Sequence, residues 1–598
     1  MKALPELLIL FVAASCATLR AETVFHVAPS GHDTAVGSAE KPFATLQRAR
    51  DAVRSEVAKG LNADVSVVLR AGRYELSAPL VLDPRDSGTQ TYGITWQARP
   101  GENVEISGGR RLRTAWQRVA GDLWKTSLTE TAGGPWEFRR LSVAGQRAQR
   151  ARAPNTGYYT VTAVDEARRM LTVGETLPAG WRTIRGAELN TTAHWHYNRQ
   201  PLAEINPERN IVTAVRPIGT DVSRFRMTVQ AHPRVWLENA REFLDSSGEW
   251  FLDLATGELF YQTSPGTDAN ALEFTAPVLR ELIAVRGRSS AEPVRNVRFI
   301  GLTFRDTDWE MTAQERLGVQ AGAWAADLSR TFMPPGALTL EYAEGCAVEK
   351  SRFNDLGEGA IAVQRGCRNS RIVRNEFTRV GANVIQIAHM PEYTGRGHPL
   401  HADYDDPADV PSGTEITDNS IVGCGDVDFG SVGILVGYAR QTHIAHNLLR
   451  DLPYSGISVG WRWAAGESNC RENVIEWNQV ERVMQQAGDG AGIYLVGEQR
   501  GTKVLNNYIH DSGRNYWSHG IYPDEYSAHM EVAHNFVTKQ MDHSIFLHKN
   551  GAGQNIHDNN GEPGPTAFQE KDNGVRRWTV FNPAREPDDP SRYGPRPL

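Results

Sequence analysis

Three carboxylates stand in two glycine-flanked segments, Gly488-Asp489-Gly490-Ala491-Gly492 and Gly520-Ile521-Tyr522-Pro523-Asp524-Glu525. His519, Asp542, His543 and His548 follow closely, and Trp461, Trp463, Tyr494, Tyr516, Trp517, Tyr522 and Tyr526 crowd the same stretch. Carboxylates in unlike surroundings are what cleavage of a glycosidic bond requires. One, kept protonated, supplies a proton to the leaving oxygen; the other, ionised, serves as base or nucleophile. Aromatic faces suit the apolar faces of sugar rings, and their polar edges can bind hydroxyls. The candidate catalytic set is therefore Asp489, Asp524 and Glu525, with Trp461, Tyr494, Trp517, His519, Tyr522, His543 and His548 around a carbohydrate substrate. The same acids would also fit turns in which they merely cap backbone amides. No metal and no cofactor is expected: Cys346, Cys367, Cys424 and Cys470 lack CxxC spacing. Buried, unpaired packing is the expected state of these thiols. The run His398, His401, Asp403, Asp405, Asp406 and Asp409 has the oxygen ligands of a cation site but reads better as a solvated acidic loop.

A repeat positions these residues. An aliphatic residue, two variable residues, usually Asn, one variable residue and a large apolar residue recur at Val348–Phe353, Ile372–Phe377, Ile416–Ile421, Ile444–Leu449, Ile475–Val480, Val504–Ile509 and Val532–Val537, with a last start at Ile556–Asn559. From Ser351 through Asn375, Asn419, Asn447, Asn478, Asn507 and Asn535 to Asn559, the intervals are 24, 44, 28, 31, 29, 28 and 24. Such spacing suits one coil of a parallel β-helix. A second motif follows at Gly433-Ile434-Leu435-Val436, Gly456-Ile457-Ser458-Val459, Gly492-Ile493-Tyr494-Leu495 and Gly520-Ile521-Tyr522-Pro523, read as a second strand in each coil. Coils stack roughly 4.8 Å apart, so like residues lie over like. An inward Asn at a bend can bond the coils above and below, which makes the Asn column structural rather than catalytic. Asp524 and His548 then interrupt a small or apolar column of Gly437, Gly460 and Val496. Asp489 precedes its strand whereas Asp524 follows its own, so a straight strand would part them by roughly 20 Å unless the chain around Gly490–Gly492 bends.

The expected organisation is an export signal at 1–21, a cap and first coils at 22–115, an inserted β-rich domain at 116–290, the main β-helix at 291–575 and a tail at 576–598. Lys2, the apolar run Leu7–Ala14 and a small-residue stretch to Ala21 carry the first expectation. Ala13-Ala14-Ser15-Cys16 partly matches a lipoprotein box but lacks its leading Leu, so a secreted or periplasmic chain is expected ahead of one anchored at Cys16. The cap is placed on the helical periodicity of Thr45–Ala58. The insertion is placed on strand runs such as Trp250–Leu254 and Glu258–Tyr261, where the Asn rhythm lapses. Two long loops, about 305–336 and 389–413, are expected to wall a cleft. A net charge of −7 and the lack of a Lys/Arg-rich run leave no footprint for nucleic acid, and any positive groove would be local. No later stretch is apolar enough to span a membrane.

The opening Phe25-His26-Val27-Ala28-Pro29-Ser30-Gly31, the segment Trp250-Phe251-Leu252-Asp253 with Thr256-Gly257-Glu258-Leu259-Phe260-Tyr261, and the two acid-bearing segments resemble glycoside hydrolase family 141. The resemblance covers nearly the whole chain after the export segment. It implies a right-handed parallel β-helix with a β-rich insertion, and α-L-fucosidase or xylanase activity on plant cell-wall polysaccharides. Carried over by motif, it places the family's two catalytic aspartates on Asp489 and Asp524; Pro523, just before the second, departs from the pattern. Two other readings compete. A polysaccharide lyase would need a cation or Arg/Lys cluster beside a base, whereas these coils are rich in acids and aromatics. A glycan-binding solenoid would carry the acids as decoration.

Overall fold

The computed structural model describes residues 22–128, 136–165, 169–184, 186–216, 233–310, 316–324, 331–332, 334–388, 404, 406–514, 517–540, 542–549, 551–561, 577–578, 582–583 and 586–597. The expected export segment with Cys16, together with His398, His401, Asp403, Asp405 and Tyr516, lies outside the described residues.

Three parallel sheets form a right-handed β-helix. The first has 13 strands from Glu22–Val27 to Arg577–Trp578, the second 12 from Gly72–Glu75 to Asn582–Pro583, and the third 9 from Leu80–Leu82 to Ser518–Pro523. Each coil thus has three strands, not the two read from the repeat. At Ile475–Val480 the hexapeptide straddles a corner, with Val474–Glu476 in the first sheet and Gln479–Glu481 in the second. The Gly-Ile motif supplies the third sheet.

The corner explains the Asn. The residue before each Asn slot has positive φ, as at Arg374 (59°), Asp418 (57°), His446 (55°) and Trp477 (54°). Such a conformation costs an L-residue roughly 1–2 kcal/mol and turns its backbone groups out of the strand ladder. Asn478 Oδ1 accepts from the Asn447 backbone N (3.0 Å) and Nδ2 (2.9 Å), while Asn478 Nδ2 donates to Ile444 O and Asn507 Oδ1, both at 2.9 Å. Asn375, Asn419, Asn447, Asn507 and Asn535 repeat this pattern, all buried. Inside, aliphatic columns such as Ile416-Ile444-Ile475-Val504-Val532 lie in register, and Phe304, Phe353 and Phe377 stack at 4.7 and 5.1 Å.

The helix Leu46–Ala58 covers the N-terminal end, with Thr45 capping it and Leu46, Ala49, Ala52 and Val53 buried. This helix seals apolar residues that an open solenoid end would expose. The four cysteines after residue 22 are buried and form no disulfide with one another. Among the described residues no helix is long and apolar enough to cross a membrane.

The insertion leaves a coil after its second strand, Val104–Ser107, and returns to the same coil's third strand, Ile283–Arg286. Its own strands run from Gly109–Arg111 to Phe274–Pro277, so its limits differ from the 116–290 read from lost rhythm. It has two apolar cores of its own, one around Leu171, Leu189 and Leu237, the other around Leu141, Trp250 and Leu259. The segment expected to be a long loop at 305–336 is partly strand: Arg316–Val319 pairs with His196–Asn206 and so joins the inserted domain's sheet. Parallel pairing also continues past the expected end at 575, into Arg577–Trp578 and Asn582–Pro583.

Because each ladder amide serves two coils, Asn478→Leu should strand buried partners above and below. Urea unfolding should show a loss of about 1–3 kcal/mol or more. An unchanged unfolding midpoint would contradict this role.

Candidate active site

The register confirms the column in which Gly437, Gly460, Val496, Asp524 and His548 succeed one another past the third-sheet strands. Asp524 is 5% exposed and ringed by donors. Tyr494 Oη donates to its Oδ2, His548 Nδ1 donates to Oδ1 at 3.0 Å, and Tyr522 also bonds it. The bond to Asp524 raises the pKa of His548.

Asp489 sits at the start of the neighbouring strand with φ 54° and is 8% exposed. Glycines flank it for a steric reason. A Cβ at Gly490 would lie 2.7 Å from Ser455 Oγ, and one at Gly492 2.5 Å from Ile509 Cγ2. Tyr522 bonds Asp489 as well as Asp524. Tyr522 as common neighbour and the action of the Asp524 charge on Asp489 put the two carboxyls in one cluster, which a straight strand, parting them by roughly 20 Å, would not allow. Burial, followed by the charge of Asp524, pushes the Asp489 carboxyl up to about 8. Its Oδ1 is buried without a hydrogen-bond partner, the state of an acid awaiting one.

The remaining expected residues divide. Tyr494 and Tyr522 pack at 5.3 Å in a small apolar cluster with Ala491 and Val496, against which Trp463 and Phe546 lie. His519 is buried, its ring 5.0 Å from that of Tyr522, and burial lowers its pKa to about 3, so it stays neutral. His543 faces it, Nδ1 to Nδ1 at 3.3 Å. Trp517 is 45% exposed at the strand entry beside Asp489. Glu525 is instead held by Lys549 Nζ at 2.6 Å. Trp461 does not line an opening: it is 2% exposed, packs against Trp463 at 4.9 Å and belongs to the main core. Asp542 Oδ2 accepts from Ser518 N at 2.6 Å, a structural cap. In the acidic run, Asp406 caps Ala408 N and Asp409 accepts from Tyr342.

Three contributors escaped the sequence reading. Tyr454 donates to the Asp489 carbonyl at 2.7 Å, one coil earlier. The inserted domain's hairpin Glu188–Ala193/His196–Asn206 presents its tip so that His194 O accepts from Gly488 N at 2.8 Å. Gln320, from the second insertion, reaches Tyr494 Oη at 3.5 Å. The run His194-Trp195-His196-Tyr197 at a hairpin tip was the available signal. The inserted segments thus roof the acids, and a roofed pair of unlike carboxyls can pass a proton to an oxygen while holding a second charge nearby.

Comparison with known proteins bears on the fold. A solved structure described as a glycoside hydrolase matches with a TM-score of 0.77 at 24% identity, over 91% of this chain and 97% of that one. A complex of XylC with xylose matches at 14% identity and a TM-score of 0.44, over 90% and 70%. A GH136 lacto-N-biosidase from Eubacterium ramulus matches at 12% and 0.37, over 90% and 64%. The first of these shares the fold of this chain. No family model matches the chain, and no match to a curated protein was found.

Because the folded-state pKa of Asp489 exceeds its unfolded value of 3.8, protonation favours the native state. Its destabilising effect is absent below about pH 4, grows through neutrality and is complete above about 8. Asp489→Asn should therefore raise Tm at pH 8 and match wild type near pH 4. Thermal unfolding across that range tests this, and a pH-independent difference would refute it.

Proposed function

We propose that the protein is an exported glycoside hydrolase that cleaves a plant cell-wall-type polysaccharide or oligosaccharide, with fucosidase- or xylanase-like specificity as the family 141 resemblance implies. The observation that carries the reading is the buried pair of unlike carboxyls, Asp489 with Oδ1 lacking a partner and Asp524 held by Tyr494 and His548; burial and the charge of Asp524 push Asp489 up to about 8. Asp489 is the general acid: at neutral pH it holds the proton that the departing glycosidic oxygen takes. Asp524, cradled by Tyr494, Tyr522 and His548, is the base or nucleophile, its donors fixing the carboxylate's orientation. Tyr454, Tyr494 and Tyr522 keep their protons, since burial raises each well above its ordinary value. They can donate without competing for charge. Trp517 supplies an aromatic face at the entrance, and neutral His519, with His543 beside it, offers bonds to sugar hydroxyls. The fold shared with a described glycoside hydrolase supports this reading.

A screen against chromogenic glycosides and plant polysaccharides, reading reducing ends and 235 nm absorbance together, tests it. Reducing sugar without unsaturated product is expected; unsaturated product would select the lyase, and neither product the glycan-binding reading. On the substrate found, Asp489→Asn and Asp524→Asn should each lower kcat by about three orders of magnitude or more while the protein stays folded. The pH–rate profile should be bell-shaped, with its alkaline limb lost if Asp489 is not the acid. Trp517→Ala should lower kcat/KM with folding intact; wild-type kinetics would remove Trp517 from the site.

A further inference from the structure

A cavity of about 410 Å³ lies where the inserted domain meets the corners between the second and third sheets, and its charge is unusual for an acidic chain. Arg139, Arg140, Arg147, Arg150, Arg152 and Arg199 of the insertion line it, joined from the β-helix by Arg379. The carboxylates ion-paired with these seven are five among the described residues: Glu137, Glu188, Glu238, Asp355 and Asp426. Asp306 and Asp308 also act on Arg140, and Asp355 is shared with Arg305, so the pairing differs from one arginine to the next.

One arginine stands apart. Arg152 donates its backbone N–H to Glu249 Oε1 at 3.4 Å, but its guanidinium has no carboxylate partner among the described residues; it donates to Gly157 O at 2.9 Å and lies near the rings of Tyr158 (5.8 Å) and Trp236 (5.5 Å). The Nε atoms of Arg147, Arg150 and Arg152 are all buried without a hydrogen-bond partner. Burial pushes Arg140 down to about 10 and, helped by repulsion from Arg140, lowers Arg147 as well. Leaving guanidinium donors desolvated and unpaired costs free energy that an incoming oxyanion would recover, and the planar fork of Arg suits a carboxylate or a sulfate. The walls add aromatic surface. Trp309 has the guanidinium groups of Arg139 and Arg199 at 4.9 and 4.8 Å from its ring, and Trp236 lies 5.2 Å from Phe429. The volume falls in the range of small-ligand sites.

We propose that this cavity binds a sugar ring bearing an oxyanion, a carboxylate or a sulfate, with the arginines taking the charge. Continuity with the acids follows from one seam: Tyr158 Oη donates to Gln486 Oε1 at 2.7 Å, three residues before Asp489. That the bound unit belongs to the glycan being cleaved rests on the glycosidase reading; the binding itself does not.

Calorimetric titration of the full-length protein with D-galacturonate, galactose 6-sulfate, galactose and inorganic sulfate tests the proposal and separates carboxylate from sulfate. At least one anionic sugar should bind saturably, more weakly as salt rises, and tighter than galactose and than sulfate by about tenfold, the contribution of one charge-assisted pair. Arg152→Gln should weaken that binding by about tenfold and Arg152→Lys by less. Asp489→Asn should leave it unchanged, so loss of catalysis and loss of binding are read separately. Failure of both anionic sugars to bind at millimolar concentration, equal binding of galactose or of sulfate, or undiminished binding in folded Arg152→Gln would each overturn it. Should that variant not fold, the comparison of the four ligands on the wild-type protein decides.

Discussion

At the corner between the first and second sheets the backbone turns through a left-handed residue in coil after coil, and the groups freed there are buried. A side-chain amide is the smallest group that can accept from the coil before and donate to the coil after, and here each Asn does both. Because the amide reaches only about 3 Å, it admits one spacing and one register. A slip of a single residue would turn every apolar column outward. The other corners are freed by this constraint to vary in length, and the two buried acids lie beside one of them.

The acids use that freedom in opposite senses. Asp524 continues a column that elsewhere holds glycine and valine, so its place is set by stacking alone. Asp489 belongs to a corner segment whose glycines let the strand press against Ser455 and Ile509. Two buried carboxyls so close cannot both carry charge cheaply, and the roof of inserted segments excludes the water that would screen them. The resulting asymmetry, one acid without a partner on Oδ1 and one surrounded by hydroxyl and imidazole donors, arises from environment rather than residue type.

Periodicity made much of this legible. The Asn column, the Gly-Ile strand, the capping helix and the column holding Asp524 and His548 are all visible as spacing, because a solenoid converts sequence interval into spatial neighbourhood. What periodicity does not encode was missed. A corner inside the hexapeptide leaves no gap in the hydrophobic pattern, so two strands read as one. Trp461 looked like a wall residue because it neighbours the acid-bearing coil, yet its ring packs inward against Trp463. The hairpin tip at His194, the reach of Gln320 and the arginine cavity join segments far apart in the chain in ways no repeat records. Six of the arginines are scattered over 139–199 and the seventh is Arg379, so their charges meet only in the fold.

The insertion divides a single coil: residues 108–282 lie between its second strand and its third. On a ribosome emitting about 5–20 residues per second, those 175 residues take roughly 10–35 s to appear. The N-terminal coils therefore wait with an open edge far longer than a strand needs to pair, a time scaled by the length of the insertion rather than by any folding barrier. A domain that completes the roof over the acids thus also sets a clock on assembly, and lengthening it would extend the interval in which the early coils can meet the wrong partner.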